Sequence, residues 1–354
     1  VAVADRDRAR AQALATPFGL AACEPESLLT DPRVAVVAIA TPPAGHAELA
    51  LAALAAGRHV FCEEPLATSL ADATQLLAAS AAPGAPRLTL DYVLRRNPLY
   101  ALVGRLQRTL LGPPRRVAVE NLASDDRLGP DHWFWDREVS GGILVEHGAP
   151  FFDAGAWLLG SQPELVQALE AARPDGRVDT VLAVAGHPGG ATASYAHSFN
   201  RPERAESQWT TLDWAAASGR LYGWVPVELE LDVRTDGAGL AAMQALATDQ
   251  RAAFEVPGYR PSGAERVSLE LAGRNPGSWD VRLRATLGGQ AARARVYRES
   301  VRAGLADLVA AASGDRPPAV TPADGWTSLA AAIAGQEAAR SGVASRPAAL
   351  PGSG

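Results

Sequence analysis

The sequence predicts a Rossmann-like α/β domain, with a doubly wound parallel sheet, followed by an α+β domain with a large, mostly antiparallel open sheet. Three observations carry that expectation. Over residues 1–95 short, continuously apolar runs alternate with helix-period segments. Beyond about residue 115 the runs change to alternating apolar and polar residues, the pattern of strands with one face in water. The length, 354 residues, suits about two domains of ordinary size.

The first part reads as strand and helix in turn: "VAVAD" then "RDRARAQALATPFG", "VAVVAIAT" then "PPAGHAELALAALAAG", "HVFCEE" then "SLADATQLLAASAA", and last "RLTLDYV". Runs this apolar and rich in Val and Ile suit strands buried on both faces, hence a parallel sheet with crossover helices. The first domain is placed at residues 1–96. Val1 already lies inside a strand, so the first strand of the sheet and its Gly-rich loop are expected upstream of it. A helix follows at about 97–111, and the second domain runs over 97–345. Its strands are read in "RRVAVENLA", "LAVAGH", "ATASYAHSF", "SQWTTLDWAAASGRLYGW", "VPVELELDVRT", "RVSLELAGR" and "SWDVRLRATLG". One apolar helix-like stretch, "GGILVEHGAPFFDAGAWLLG", interrupts the sheet, and helices near 298–313 and 325–341 are expected to pack back on the first domain. The tail, 346–354, is rich in Pro and Gly and reads as flexible.

A formal charge of −6 offers no basic field for phosphate backbones or anionic membrane. All 33 basic residues are arginine, so no amine is available as a neutral-pH base or Schiff-base former. Cys23 and Cys62 are too few for a disulfide framework and fit a reducing, cytoplasmic setting. No apolar run is long enough for a membrane span, the start lacks a signal-peptide pattern, and no histidine pair has metal-ligand spacing.

Asp5, with Arg6 beside it, ends the first strand. There an acid accepts hydrogen bonds from the adenosine ribose and repels a 2′-phosphate, favouring NAD over NADP; it equally suits a helix N-cap. "ATPPAGH" follows the next strand, where Thr41 and Pro42 can line a nucleotide and His46 falls in the first turn of a helix. Gly237, Gly239 and Ala242 form a glycine pattern after a half-exposed strand, which suits a turn built on Asp236-Gly237 better than a phosphate cradle. Trp133, Phe134 and Trp135 read either as core or as a loop stacked over a pocket.

The order "VAVADRD…DPRVAVVAIATPPAGHAELALAALAAGRHVFCEEPLATSLADATQLL", with "DHWFWDREVSGGILVEHGAPFFDAGAWLLG" later, resembles the Gfo/Idh/MocA family of NAD(P)-dependent oxidoreductases. The resemblance implies hydride transfer between NAD(H) and a sugar, cyclitol or related polyol, and a homo-oligomer formed through the antiparallel sheet. It also implies that Glu63 and Pro65 line the cofactor and that Arg95 lies near cofactor or substrate. Two positions depart from the family pattern. The strand that ends Glu-Lys-Pro in the family carries Glu64 between Glu63 and Pro65, and Asp-x-Gly-x-His-x-x-Asp reads "EHGAPFFD", with Glu146, Pro150 and Asp153 at the first acid, the histidine and the last acid.

Oxidising a carbinol requires a group that takes the hydroxyl proton as the hydride leaves, with a pKa near the working pH. A glutamate opposes the developing alkoxide where a lysine stabilises it. Two routes are open: Glu64 as base, its pKa raised by Glu63 and burial, or His147, one helical turn before the lost histidine. Glu146 and Asp153 would then orient substrate. The alternative is a non-catalytic relative that binds a ligand or serves as a partner subunit, in which cofactor binding depends on the upstream Gly-rich loop. Pro150 either kinks the helix or begins it.

Overall fold

Apolar runs at the start of the chain form parallel strands. The computed structural model describes residues 1–314 and 316–352. Strands β1 (Ala2–Ala4) and β2 (Ala21–Cys23) pair in parallel, and β3 (Val36–Ile39), β4 (His59–Cys62) and β5 (Leu88–Leu90) form a second parallel sheet in that order. Helices α1 (Arg8–Ala15), α2 (Pro25–Thr30), α3 (His46–Ala55) and α4 (Leu70–Ala81) make the crossovers. The one expected sheet is thus present in two pieces, with no described strand between β1 and β3. Burial follows this division: all of β5 and three residues of β4 are buried, whereas β3 buries only Ile39 and β1 none.

The second domain begins with α5 (Pro98–Leu106), continued by a wider turn to Leu111, and builds a nine-stranded sheet. Its strands are β6 (Arg116–Ser124), β7 (Leu165–Ala172), β8 (Val178–Gly186), β9 (Thr192–Arg201), β10 (Ser207–Asp213), β11 (Ala217–Tyr222), β12 (Glu228–Thr235), β13 (Arg266–Asn275) and β14 (Ser278–Thr286). They lie in the order β13-β14-β12-β11-β10-β6-β9-β8-β7, and every pairing is antiparallel except β6–β9. Short helices α6 (Arg137–Ser140) and α7 (Ile143–Glu146) lead into α8 (Ala149–Leu159), which packs on one sheet face; α9 (Gly237–Thr248) and α10 (Gln250–Ala253) lie near the β12–β14 end.

The last two helices, α11 (Arg293–Ser313) and α12 (Pro322–Ser341), return to the first domain as expected. Thr321 and Asp324 form a reciprocal capping box at the start of α12. Along it Trp326 donates to Thr74 at 3.0 Å, Ser328 meets the Tyr92 hydroxyl at 2.6 Å, and Leu329 is fully buried. Burying a side chain of that size contributes roughly 2 kcal/mol. Helix α11 crosses β4 closely at Gly304, where a Cβ would stand 2.9 Å from the Phe61 ring. Ser345, just before the tail expected to be flexible, pairs with Val166; within the tail Leu350 packs on the core, while residues 353 and 354 lie outside the described residues.

Candidate active site

Parallel strands that end together place whatever follows them in one row, and ligands of open α/β sheets sit along that row. Here the row is acidic. The Glu63 amide donates to Ile39 O and the Asp91 amide to Cys62 O, both at 2.9 Å, so the ladder runs on just past β4 and β5 and fixes Glu63, Glu64 and Asp91 at its edge. Glu146, at the end of α7, closes on them from the second domain and lies near enough for its charge to act on Glu64. Tyr297 of α11 adjoins the same group; burial and then the charges of Glu63, Asp91 and Glu64 push its phenol up to about 12.

Several oxygens of this group lack partners. Glu64 Oε2, Glu146 Oε2 and both oxygens of Asp91 are buried without a hydrogen-bond donor. Burial raises Glu64 well above the ordinary carboxyl range, and the charges of Glu146, Glu63 and Asp91 raise it further. Burial also lifts Glu63, and it lifts Glu146 to about 7. Asp91, 2% exposed, is lifted to about 8 by burial and Glu63, with Arg96 opposing. Like charges that act on one another resist ionising together, so Glu64 and Glu146 each hold a proton to higher pH than an isolated carboxyl.

Arg95 and Asp153 stand elsewhere than the sequence suggested. Arg95 Nε donates to Asp153 Oδ2 at 2.8 Å, and its Nη2 donates both to Asp153 Oδ1 and to Asp324 Oδ1, the latter at 3.0 Å. This fork ties the turn after β5 to α8 and α12. Asp153, 3% exposed, is pushed up to about 6 by burial while Arg95 pulls it down, so at neutral pH it is ionised and paired. Both side chains are engaged in joining these elements.

Pro150 begins α8 rather than kinking it: Gly148 precedes the helix, and its carbonyl accepts from Phe151 and Phe152 at 3.0 and 2.9 Å. A Cβ at Gly148 would press to 2.5 Å from Leu144 O, so α7 and α8 can fold against each other only with glycine between them. That fold turns His147 toward the sheet. Its Nε2 meets Asn121 Nδ2 at 2.7 Å, and its ring lies 5.2 Å from His197 and 5.1 Å from Phe199. Burial lowers His147 to about 4, and burial and His147 hold His197 well below the ordinary histidine range. The ring therefore stays neutral and faces β6 and β9.

At the cofactor end, the helix cap is Asp7, which accepts from Ala9 and Arg10 amides. Asp5 accepts the Asp7 amide on Oδ1 at 2.8 Å and faces Arg10 through Oδ2 at 3.7 Å; Arg6 is exposed. Thr41 and Pro42 are exposed at the end of β3. His46, 1% exposed, sets its ring nitrogens 2.7 Å from Pro65 O and 2.8 Å from Thr41 O, so it positions the two strand-end loops instead of meeting a ligand. Asp5, Thr41, Pro42 and Glu63 thus stand at the ends of β1, β3 and β4. The glycine pattern at 237–242 is a helix start, with the Gly239 amide given to Asp236 at 2.9 Å. Phe134 is core, edge-on to Phe199 at 4.7 Å, and Trp135 lies beneath Arg173 and Arg177. Among the described residues no group of three or more His, Cys, Asp or Glu is arranged to hold a metal, and no helix is long and apolar enough to cross a membrane.

Comparison with known proteins decides the family. Residues 1–89 match the model of the oxidoreductase family with an NAD-binding Rossmann fold, and residues 104–213 match the GFO/IDH/MocA C-terminal domain. The chain is also 30% identical over 234 residues to the trans-1,2-dihydrobenzene-1,2-diol dehydrogenase of Mus musculus, covering 65% of this chain and 68% of that protein. The chain belongs to the GFO/IDH/MocA oxidoreductase family. Other relatives are matched over shorter stretches. An uncharacterised oxidoreductase of Synechocystis is 32% identical over 184 residues, 49% of each protein, so the chain spans about half the length of such relatives. An inositol 2-dehydrogenase of Acidothermus cellulolyticus is 38% identical over 117 residues, 32% of this chain and 34% of that one. The fold is shared with a levoglucosan dehydrogenase solved with NADH and levoglucosan (TM-score 0.74, 20% identity, 98% of this chain and 89% of that chain).

Within the GFO/IDH/MocA frame, the structure adds site members that sequence reasoning missed. Asp91 ends its apolar strand as Glu63 does, and the reasoning applied to Asp5 would have found it. Tyr297 and Asn121 carry no local signal, because only the tertiary fold brings them near Glu64 and His147.

Proposed function

We propose that this GFO/IDH/MocA chain is an NAD(H)-dependent oxidoreductase that oxidises a secondary hydroxyl of a sugar, cyclitol or related polyol, with Glu64 and Glu146 as a shared-proton pair. The carrying observation is that the glutamate replacing the family lysine and a second carboxyl, Glu146, each keep a buried oxygen without a partner, and burial, then the charge of Glu146, raises Glu64. Names of relatives support the substrate class: an inositol dehydrogenase, a dihydrodiol dehydrogenase and a levoglucosan dehydrogenase all act on ring alcohols.

Asp5 would hold the adenosine ribose and favour NAD over NADP through its charge. Thr41, Pro42 and Glu63 would line the nicotinamide half. When bound, the nicotinamide supplies the hydride chemistry. The ionised member of the Glu64–Glu146 pair takes the hydroxyl proton as the carbonyl forms, and the same carboxyl, then protonated, returns it in the reverse direction. Titrating the protein with NADH and following nicotinamide fluorescence tests the cofactor; steady-state oxidation of myo-inositol and glucose tests the reaction. Oxidation should rise with pH through about 7, the value to which Glu146 is raised, and Glu64→Gln should lower kcat by about 10²- to 10⁴-fold. No NADH binding, or a kcat unaffected by Glu64→Gln, would overturn the reading.

The same reading places a second copy of the chain on the sheet. Leu165 and Leu169 of β7 and Leu182 and Val184 of β8 are exposed on one face, with Leu169 directly opposite Leu182. Leu169→Arg should convert the oligomer to monomers in light scattering; unchanged mass would remove this face from the interface.

A further inference from the structure

Acceptor atoms outnumber donors at the strand ends. Glu64 Oε2, Glu146 Oε2, Asp91 Oδ1 and Asp91 Oδ2 are each buried without a partner. The nearest cations make no hydrogen bond to them. Arg95 is committed to Asp153 and Asp324; Arg96 donates to Asp307 at 3.3 Å and lowers Asp91 by its charge, yet its Nη1 is itself buried without a partner. No lysine exists in the sequence to fill the place.

A ligand that fits must bring positive charge and several donors together. The nicotinamide ring of the oxidised cofactor carries charge, but its ring nitrogen is substituted and has no N–H. A neutral polyol brings O–H donors without charge. An ammonium group brings one positive charge and three N–H donors. We infer, resting on the oxidoreductase reading above, that the substrate is an amino polyol, an amino sugar or aminocyclitol whose ammonium lies among Glu64, Asp91 and Glu146.

Such a substrate carries its own counterpart of the lysine found in relatives. Its ammonium stabilises the alkoxide that develops on the neighbouring carbinol, and it keeps one member of the Glu64–Glu146 pair ionised as base. The carbinol carbon gives up its hydride, two electrons with the hydrogen, to the nicotinamide. The hydroxyl proton passes to the carboxylate, the C–O bond becomes a carbonyl, and the amine nitrogen is unchanged.

Calorimetric titration of the full chain in the presence of NAD⁺ tests this with glucosamine, glucose and N-acetylglucosamine, and with scyllo-inosamine against scyllo-inositol. At least one amine should bind about 10- to 100-fold more tightly than its neutral counterparts, the range of one charge-assisted hydrogen-bond set. In Glu64→Gln, and in Asp91→Asn should the first variant not fold, that preference should fall to about threefold or less. Equal or tighter binding of the neutral compounds, no binding of either amine, or a preference surviving both variants would overturn the inference. The two readings fail differently: oxidation of neutral polyols without amine preference removes only the amine, whereas absence of NADH binding removes the oxidoreductase reading beneath it.

Discussion

Two groups of buried acids lie within the same molecule, and they differ in one respect. Asp153 and Asp324 share the fork of Arg95, with three hydrogen bonds across three elements. Glu64, Asp91 and Glu146 have buried oxygens that no donor reaches. Burial raises Asp153 in the first group and Glu64, Asp91 and Glu146 in the second, but only Asp153 has a hydrogen-bonded cation to pull against it; Arg96 opposes the rise at Asp91 by charge alone. The contrast separates acids that hold the structure from acids held ready for a ligand: a protein tolerates unpaired buried acceptors only where the site repays their cost.

The largest effect should come from breaking the paired group. Arg95→Met leaves Asp153 and Asp324 without their cation and should cost about 3–5 kcal/mol in urea unfolding at pH 7. The loss should shrink toward pH 5, because Asp153, at about 6 even with Arg95 present, then takes up a proton instead. A loss independent of pH would mean that packing, rather than charge, links the domains there.

The unpaired group should respond in the opposite direction. Folded-state pKa values of about 7 for Glu146 and about 8 for Asp91 lie above their unfolded values, so the native state binds more protons across that window. Stability contributed by these acids is full below about pH 4 and falls, by a few kcal/mol in total order of magnitude, as pH rises to about 8. Glu64→Gln should flatten that slope and raise stability at pH 8 by about 1–2 kcal/mol while removing activity. A variant destabilised at pH 8 would show that Glu64 has a cationic partner after all.

A smaller effect is expected on the acid side. His147, lowered to about 4, and His197, held well below the ordinary histidine range, are neutral in the folded state, whereas the unfolded chain protonates them from about pH 6.5 downward. Stability should therefore fall as pH drops below about 6.5, and His197→Phe should remove about 1–2 kcal/mol of that loss at pH 5. An unchanged acid limb would locate the loss in other groups.

Much of the fold was legible because its signals are local. Apolar runs gave β1, β3, β4 and β5, and alternation gave most of the open sheet. Strand β7 was missed because "LVQALEAA" is built of good helix formers and becomes a strand only by pairing with β8. β2 is three residues long, too short for any period. At the site, the glutamate pair at the end of β4 was readable, since carboxyls following a buried strand are costly. The partners were not. Nothing in "EHGAPFFD" says that His147 turns to Asn121 or that Asp153 reaches back to Arg95, because both depend on the glycine-hinged fold of α7 on α8.

The most direct measurement is infrared difference titration of the carboxyl groups, wild type against Glu64→Gln. The account expects a protonated carboxyl band still present at pH 7, titrating near that value in the wild type, and altered when Glu64 becomes an amide. A wild-type spectrum in which every carboxyl is already ionised by pH 6 would contradict the shared proton, and with it the acid–base role given to Glu64 and Glu146.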